Sequence, residues 1–247
     1  MKLIVAGSSG YVAAEVIRQA LSNPAITSVV GLGRRATPEP QNLEPTANVA
    51  KFNSVILKDF GAEYPDDVKK EFAEADACIW TIGLVPNKAM STSLEEAGKI
   101  CRDYPVRAVE TISKLRQAAP ESDAKKTPCR FLYISGSAAE RDQTKKPLIL
   151  GAYLLIRGQA ETGVLKAAEA SNGTVQAGIS RPGLITANSG VVPVLQRGVM
   201  ATFRQPHVRL SEITATLLHQ AVEGVENDTL QNGDLVKIGQ KILRQKK

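Results

Sequence analysis

The residues best placed to do chemistry begin almost at the amino terminus. A short apolar run, Leu3-Ile-Val-Ala6, leads into Gly7-Ser8-Ser9-Gly10-Tyr11-Val12-Ala13, a G-x-x-G-x-x-A loop that opens a helix. Glycine is needed where the chain turns tightly and where backbone must approach a pyrophosphate, which then rests on free amides at the helix N-terminus. A small residue at Ala13 lets that helix pack closely on the strand. The spacing predicts a dinucleotide site through Gly7, Ser9, Gly10, Tyr11 and Val12; the competing reading is a glycine turn without a ligand. The second strand ends in Val30-Gly-Leu-Gly-Arg34-Arg35. A site for NAD would carry Asp or Glu there to bond the adenosine ribose, whereas arginine suits the 2′-phosphate of NADP. Two arginines and no carboxylate predict NADP(H), with one of the pair free to face solvent. Asp59 and Phe60 follow the third strand, the acid where an adenine amino group would be met. Gly83 follows the fourth, where backbone would run beside the cofactor. Each of these positions equally suits an ordinary strand-end turn.

Together these residues resemble the short-chain dehydrogenase/reductase superfamily, in its atypical or extended, epimerase-like branch. The resemblance runs to about Gly183 and is carried by Gly7, Gly10 and Ala13, by Arg34 and Arg35, and by three later stretches. In Tyr133-Ile-Ser135-Gly-Ser137-Ala138, Ser137 stands where the family carries its catalytic serine, with Ser135, also beside the cofactor, as the fallback. Tyr153 and Arg157 fall where the family has Tyr-x-x-x-Lys, and Arg157-Gly-Gln-Ala-Glu161 continues as in atypical members. Arg181-Pro182-Gly183 resembles the turn that lies by the nicotinamide end. Residues four apart share a helix face, so Tyr153 and Arg157 would point together toward the cofactor. A proton-donating tyrosine needs its pKa brought down from about 10, and a nearby cation does this. The serine would orient a carbonyl and stabilise its developing charge. Arg157 departs from the family, whose lysine also bonds the nicotinamide ribose; a planar guanidinium is not an equivalent donor. The competing reading makes Tyr153 a helix-surface aromatic and Arg157 a solvated charge.

Elements must exist to position this set. Short apolar, β-branched runs alternate with longer amphipathic segments, the pattern of βαβ units, and strands lacking polar alternation are expected where helices cover both faces of a sheet. The predicted strands are Leu3 to Ala6, Ser28 to Gly31, Ser54 to Leu57, Ala77 to Ile82, Arg130 to Ser135, Val175 to Ser180 and Leu235 to Ile238. Helices are predicted near Tyr11 to Ser22, Asp66 to Ala73, Leu94 to Ala119, Tyr153 to Ser171 and Ser211 to Glu223. The fold class is α/β, a three-layer, doubly wound parallel sheet of the NAD(P)-binding Rossmann type, in a single domain over residues 1–247. Thr92 to Glu95 and Ser93 to Glu96 both fit a capping box, and Pro105 predicts a kink or break in the helix that follows. The segment 184–210 has no clean period. It reads as a substrate-covering loop or lid, with Val191, Val192, Pro193, Val194, Leu195, Met200 and Phe203 facing an apolar pocket.

Of 247 residues, 43% are hydrophobic and 23% charged, which suits one globular domain and excludes a disordered tail or disulfide-stapled mini-protein. Cys78, Cys101 and Cys129 lack C-x-x-C spacing, so no zinc site is encoded, and a reducing, cytoplasmic setting is expected. His207 and His219 read as surface residues. No apolar run reaches the roughly 18 residues of a membrane span. The net charge of +6 does not point to nucleic acid: the densest basic run, Lys241 to Lys247, has no interleaved aromatics and reads as a solvated tail. The leading expectation is an NADPH-dependent oxidoreductase that reduces a carbonyl or imine of a small organic molecule, of the kind that tailors natural products. The alternatives are a redox-neutral isomerase, epimerase or cyclase, favoured by Arg157, and a non-enzymatic NADP(H)-sensing regulator. In similar proteins a helix such as Tyr153 to Ser171 forms a homodimer surface.

Overall fold

A computed structural model of the chain describes residues 1–120, 127–145, 147–187 and 206–245. Its main sheet has seven parallel strands: β1 (Lys2–Ala6), β2 (Ser28–Gly33), β3 (Phe52–Ile56), β4 (Ala77–Trp80), β5 (Cys129–Ile134), β6 (Val175–Arg181) and β9 (Thr229–Gln231). They lie in the order β3-β2-β1-β4-β5-β6-β9. The chain builds outward from β1 to β3, then returns to place β4 on the other side of β1, with Leu3 opposite both Val29 and Ala77. A crevice therefore opens beyond the carboxyl ends of β1 and β4, the switch point at which such sheets bind ligands.

Both faces of the sheet are covered. On one, Ile4, Val30, Trp80, Phe131 and Ile179 pack against Val68 and Phe72 of α2 (Asp66–Glu74), Val109 and Ile112 of α5 (Tyr104–Gln117) and Val164 of α6 (Gly151–Glu169). On the other, Leu3, Val5, Val29, Ile79 and Leu132 pack against Val16 and Ile17 of α1 (Tyr11–Leu21) and Ile213 and Leu217 of α7 (Leu210–Glu223). Alternate residues of one strand thus enter different cores, and the apolar runs lack a polar phase because neither face meets water.

Two expectations are corrected, and the break expected at Pro105 is found. Leu235 to Ile238 is not a strand but part of α8 (Asn232–Gln245); the seventh strand is the three-residue β9 just before it. Leu235 and Gly239, four apart, are the buried face of that helix, and α7 comes so close that a Cβ on Gly239 would lie 2.3 Å from the Glu212 carbonyl oxygen. Lys241–Gln245 accordingly ends this helix rather than forming a solvated tail; residues 246–247 lie outside the described residues. The predicted helix from Leu94 to Ala119 divides into α4 (Leu94–Gly98), a π-helical turn over Lys99–Asp103, and α5. Pro105, in the first turn of α5 where a missing N–H costs nothing, is the reason for the break. Ser93 caps α4, its hydroxyl accepting from the Glu96 N–H at 3.2 Å.

At the base of the expected lid, β7 (Leu184–Thr186) pairs in parallel with β8 (His207–Arg209). Gly183 makes this closure possible, since a Cβ there would lie 1.8 Å from the Pro206 carbonyl oxygen. The expected pocket residues Val191, Val192, Pro193, Val194, Leu195, Met200 and Phe203 lie outside the described residues.

Candidate active site at the switch point

At the carboxyl end of β1 the backbone of Gly7 turns with φ +84°, and its N–H donates to the Leu32 carbonyl at 2.8 Å. A Cβ on Gly7 would lie 2.5 Å from Thr81 Oγ1, which itself donates to the Ala6 carbonyl. Conformation and close approach both demand glycine here. Gly10 is the extended N-cap of α1; no side chain caps this helix and its first turn holds no acid. Its amides are therefore available to an anion. Ser9 and Tyr11 are exposed around this loop, Val12 is half-buried and Ala13 is packed against the sheet.

Ser8, the loop residue left out of the predicted dinucleotide site, is buried: its hydroxyl lies 2.5 Å from Thr37 Oγ1, and the Thr37 N–H donates to Ser54 Oγ. This chain of hydroxyls ties the glycine loop to the segment that carries Arg34 and Arg35. Both arginines are exposed, and among the described residues neither side chain has a hydrogen-bond or ion-pair partner. Asp59 is exposed and folds back on its own turn, Oδ1 accepting from the Gly61 N–H at 2.7 Å. The Phe60 ring belongs to the core, edge-on to Trp80 with centroids 5.7 Å apart.

Tyr153 and Arg157 come off one face of α6 beside the end of β4, as their spacing predicts. Both are buried, which corrects the surface alternative. Tyr153 Oη donates to the Leu84 carbonyl at 2.5 Å. The Arg157 guanidinium donates to the Ile134 carbonyl at 2.8 Å and lies over the Tyr133 ring, 5.2 Å from its centroid. Gly83 makes room for it: a Cβ there would lie 2.8 Å from Arg157 Nη1. The expected lowering of the Tyr153 pKa does not result in the free protein. Burial raises it, and the opposing pull of Arg157 is smaller.

The two serines separate. Ser135 is buried and its hydroxyl donates to Glu161 Oε1 at 2.5 Å, whereas Ser137 is exposed, its N–H donating to the Pro182 carbonyl at 2.8 Å. Ser137 is thus the hydroxyl open to a ligand, and Pro182 and Gly183 stand directly behind it. Glu161, fully buried, is the principal residue that sequence reasoning missed. Besides Ser135 it accepts from Arg141 Nε at 2.7 Å and from Arg181 through Nε at 2.9 Å and through Nη2. The signal was present: Tyr153, Arg157 and Glu161 follow one another at four-residue steps on a single helix face. His207 and His219 are exposed, and the three cysteines are buried and unpaired.

No family model and no curated protein matches the chain. Solved structures do match it throughout. MoeE5 in complex with UDP-glucuronic acid and NAD is 15% identical over 94% of this chain and 76% of its own, with a TM-score of 0.64. The UDP-N-acetylglucosamine 4-epimerase of Methanobrevibacter ruminantium, in complex with UDP-N-acetylmuramic acid, is 13% identical over 93% and 75%, TM-score 0.64. The UDP-glucose 4-epimerase of Thermotoga maritima, with UDP-glucose, is 14% identical over 100% and 84%, TM-score 0.62. The chain thus shares the overall fold of these nucleotide-sugar-bound structures. In this epimerase-like frame, the glycine turn and the Tyr153–Arg157 pair approach the same end of the sheet, from β1 and from α6.

Proposed function

We propose that this protein is an enzyme that binds a nicotinamide dinucleotide across the switch-point crevice, NADP(H) in preference to NAD(H), and converts a small hydroxyl- or carbonyl-bearing substrate without net redox change. The observation that carries it is that an uncapped helix N-terminus behind Gly7 and Gly10 and a helix-borne tyrosine–arginine pair lie at the same carboxyl end of the sheet. The residues fit the cofactor: a cradle that a Cβ on Gly7 would fill, free amides for a diphosphate, and two unpaired guanidinium groups at the end of β2 for a 2′-phosphate. Likeness of fold to 4-epimerases, whose products have the same oxidation state as their substrates, supports the redox-neutral version.

A dinucleotide bound there would supply a reversible two-electron acceptor. The chain would supply the rest. Tyr153 exchanges a proton with the substrate oxygen once its hydroxyl leaves the Leu84 carbonyl, Ser137 orients that oxygen, and Arg157 stabilises the phenolate as it forms. Net reduction of a carbonyl or imine by NADPH uses the same groups and is the second reading. What favours it is the elevated pKa of Tyr153, which holds the neutral, proton-giving phenol.

The deciding experiment supplies cofactor at the enzyme's own concentration to a panel of alcohols, ketones and nucleotide sugars, and follows product together with absorbance at 340 nm. Many turnovers without net absorbance change are expected, with Tyr153→Phe about 10²-fold or more slower. Product formed only in proportion to NADPH consumed would establish the reductase reading. No thermal stabilisation by either dinucleotide would refute both.

A further inference from the structure

The two exposed arginines beyond β2 stand on a short turn that is pinned at both ends. Gly33 closes the near end, its carbonyl accepting from the Leu57 N–H at 2.8 Å. Thr37 closes the far end. Its Oγ1 lies 2.5 Å from the buried Ser8 Oγ, and its N–H donates at 2.8 Å to Ser54 Oγ, on the β3 residue opposite Gly31. Gly33 also makes room for the hydroxyl pair, since a Cβ there would lie 2.8 Å from Ser8 Oγ and 3.3 Å from the Arg35 carbonyl oxygen. Between the pins lie Arg34, Arg35 and Ala36, all exposed.

What the pins achieve is a matter of placement rather than of charge. The charged residues next along the chain from this turn and from Leu57 are Glu39, Lys58 and Asp59, exposed like the arginines, so the excess of positive charge is small. An exposed guanidinium on a mobile loop adds little to the binding of an anion, because ordering it cancels most of the attraction. One carried on backbone already fixed keeps that attraction and can meet phosphate oxygens in pairs. Ser8 belongs to the glycine loop that would take the diphosphate, so the Ser8–Thr37 bond sets how far the arginine turn stands from it. A dinucleotide carries its 2′-phosphate at a fixed covalent reach from its diphosphate, and that separation is what has to be set.

Resting on the function proposed above, we infer that Thr37 determines the choice of dinucleotide: through its bond to Ser8 it holds Arg34 and Arg35 at the reach of a 2′-phosphate and so sets the preference for NADP(H) over NAD(H). Thr37 is a positioning residue in this, acting through the two arginines and not on the reacting atoms. The 2′-hydroxyl of NAD(H) asks nothing of either guanidinium, so the bond matters to one dinucleotide and not to the other.

The test measures the dissociation constants of NADP+ and NAD+ for the full chain by isothermal titration calorimetry. The unaltered protein should bind NADP+ the more tightly. Thr37→Val keeps the branched shape and the N–H that Ser54 accepts but removes the hydroxyl; it should weaken NADP+ about ten-fold and leave NAD+ within about two-fold. Thr37→Ser should restore the preference. Ser8→Ala should act as Thr37→Val does, and the two together should do no more than either alone, because both remove the same bond. In a chain already carrying Arg34→Ala and Arg35→Ala, Thr37→Val should move neither constant. Lys88→Ala, which removes an exposed cation from α3 (Pro86–Ala89) after β4, should leave the ratio of the two constants unchanged. Thermal melting shows that each variant is folded, and should Thr37→Val fail to fold, Ser8→Ala carries the comparison. Equal weakening of both dinucleotides by Thr37→Val, no change in either, or an effect that survives loss of both arginines would each overturn the inference while leaving the dinucleotide site standing. So would equal affinity of the unaltered protein for NADP+ and NAD+. Failure of both to bind would instead remove the reading beneath it.

Discussion

Arg157 is a cation held inside the protein, and among the described residues no carboxylate pairs with it. The Ile134 carbonyl, the face of Tyr133 and the neighbouring Tyr153 and Cys101 keep it charged against the opposition of burial. Its seat depends on Gly83, and this gives a sharp prediction. Gly83→Ala places a Cβ 2.8 Å from Nη1, so the guanidinium must shift in its buried seat and strain the bond that Nη2 makes to the Ile134 carbonyl; a loss of up to about 1 kcal/mol of stability is expected by urea denaturation. Gly136→Ala, which meets nothing within 4 Å, should cost no stability. Gly7→Ala is the corresponding prediction for the cofactor end: positive φ and the contact with Thr81 Oγ1 together should cost about 2–4 kcal/mol and abolish stabilisation by NADP+ in a thermal-shift titration. The raised pKa of Tyr153 sets a pH dependence as well. The phenol is protonated throughout the neutral range, so a reaction that begins by taking a proton from a hydroxyl should speed up about ten-fold per pH unit between pH 6 and 9 with no plateau, read as log rate against pH.

At the scale of elements, Glu161 decides how the site holds together. It sits on α6 and receives Ser135 from the end of β5, Arg141 from the loop that follows, and Arg181 from the end of β6. One carboxylate therefore fixes the turn that presents Ser137. Glu161→Gln leaves two guanidinium groups around a neutral amide, and a loss of about 3–5 kcal/mol is expected in urea, with NADP+ affinity falling in parallel because the β5 and β6 ends move. How far such elements can be read from sequence depends on what sets them. Strands β1, β4 and β5 were legible because a buried parallel strand is an unbroken apolar run, and α1 because its glycine turn precedes it. The α8 helix was read as a strand because Leu235-Val-Lys-Ile238 is too short to show its period; what settles it is the close pass of Gly239 over Glu212, a contact between distant parts of the chain. The division of the helix at Pro105 was legible, but the π-helical form of the turn before it was not. The Tyr153–Arg157 pair was legible from its spacing. Its burial was not, since that depends on Gly83 and Leu84 arriving from β4.

Across the whole molecule, part of the basic excess has local tasks: Arg141 and Arg181 neutralise Glu161, Arg130 donates to the Ala221 and Val222 carbonyls at the end of α7, and Arg34 and Arg35, just after β2, have no side-chain partner among the described residues. No described helix is long and apolar enough to cross a membrane. A sheet buried on both faces also stores a vulnerability to alkali. Tyr64, Tyr133 and Tyr153 are all buried, and in each burial raises the pKa of the phenol above that of the unfolded chain. Below about pH 10 both states hold these protons, so they leave the balance unchanged. Above it the unfolded chain releases three protons that the folded protein keeps, and stability must fall, by up to about 4 kcal/mol per pH unit. The phenolate absorbance of these three residues at 295 nm should therefore rise only together with loss of the helical circular dichroism. Tyr64 separates this from general alkaline damage, because its buried hydroxyl has no hydrogen-bond partner among the described residues. Tyr64→Phe should fold normally and reduce the slope of stability against pH above 10 by up to about 1.4 kcal/mol per pH unit, one proton's share; an unchanged slope would show that this buried phenol does not govern the alkaline transition.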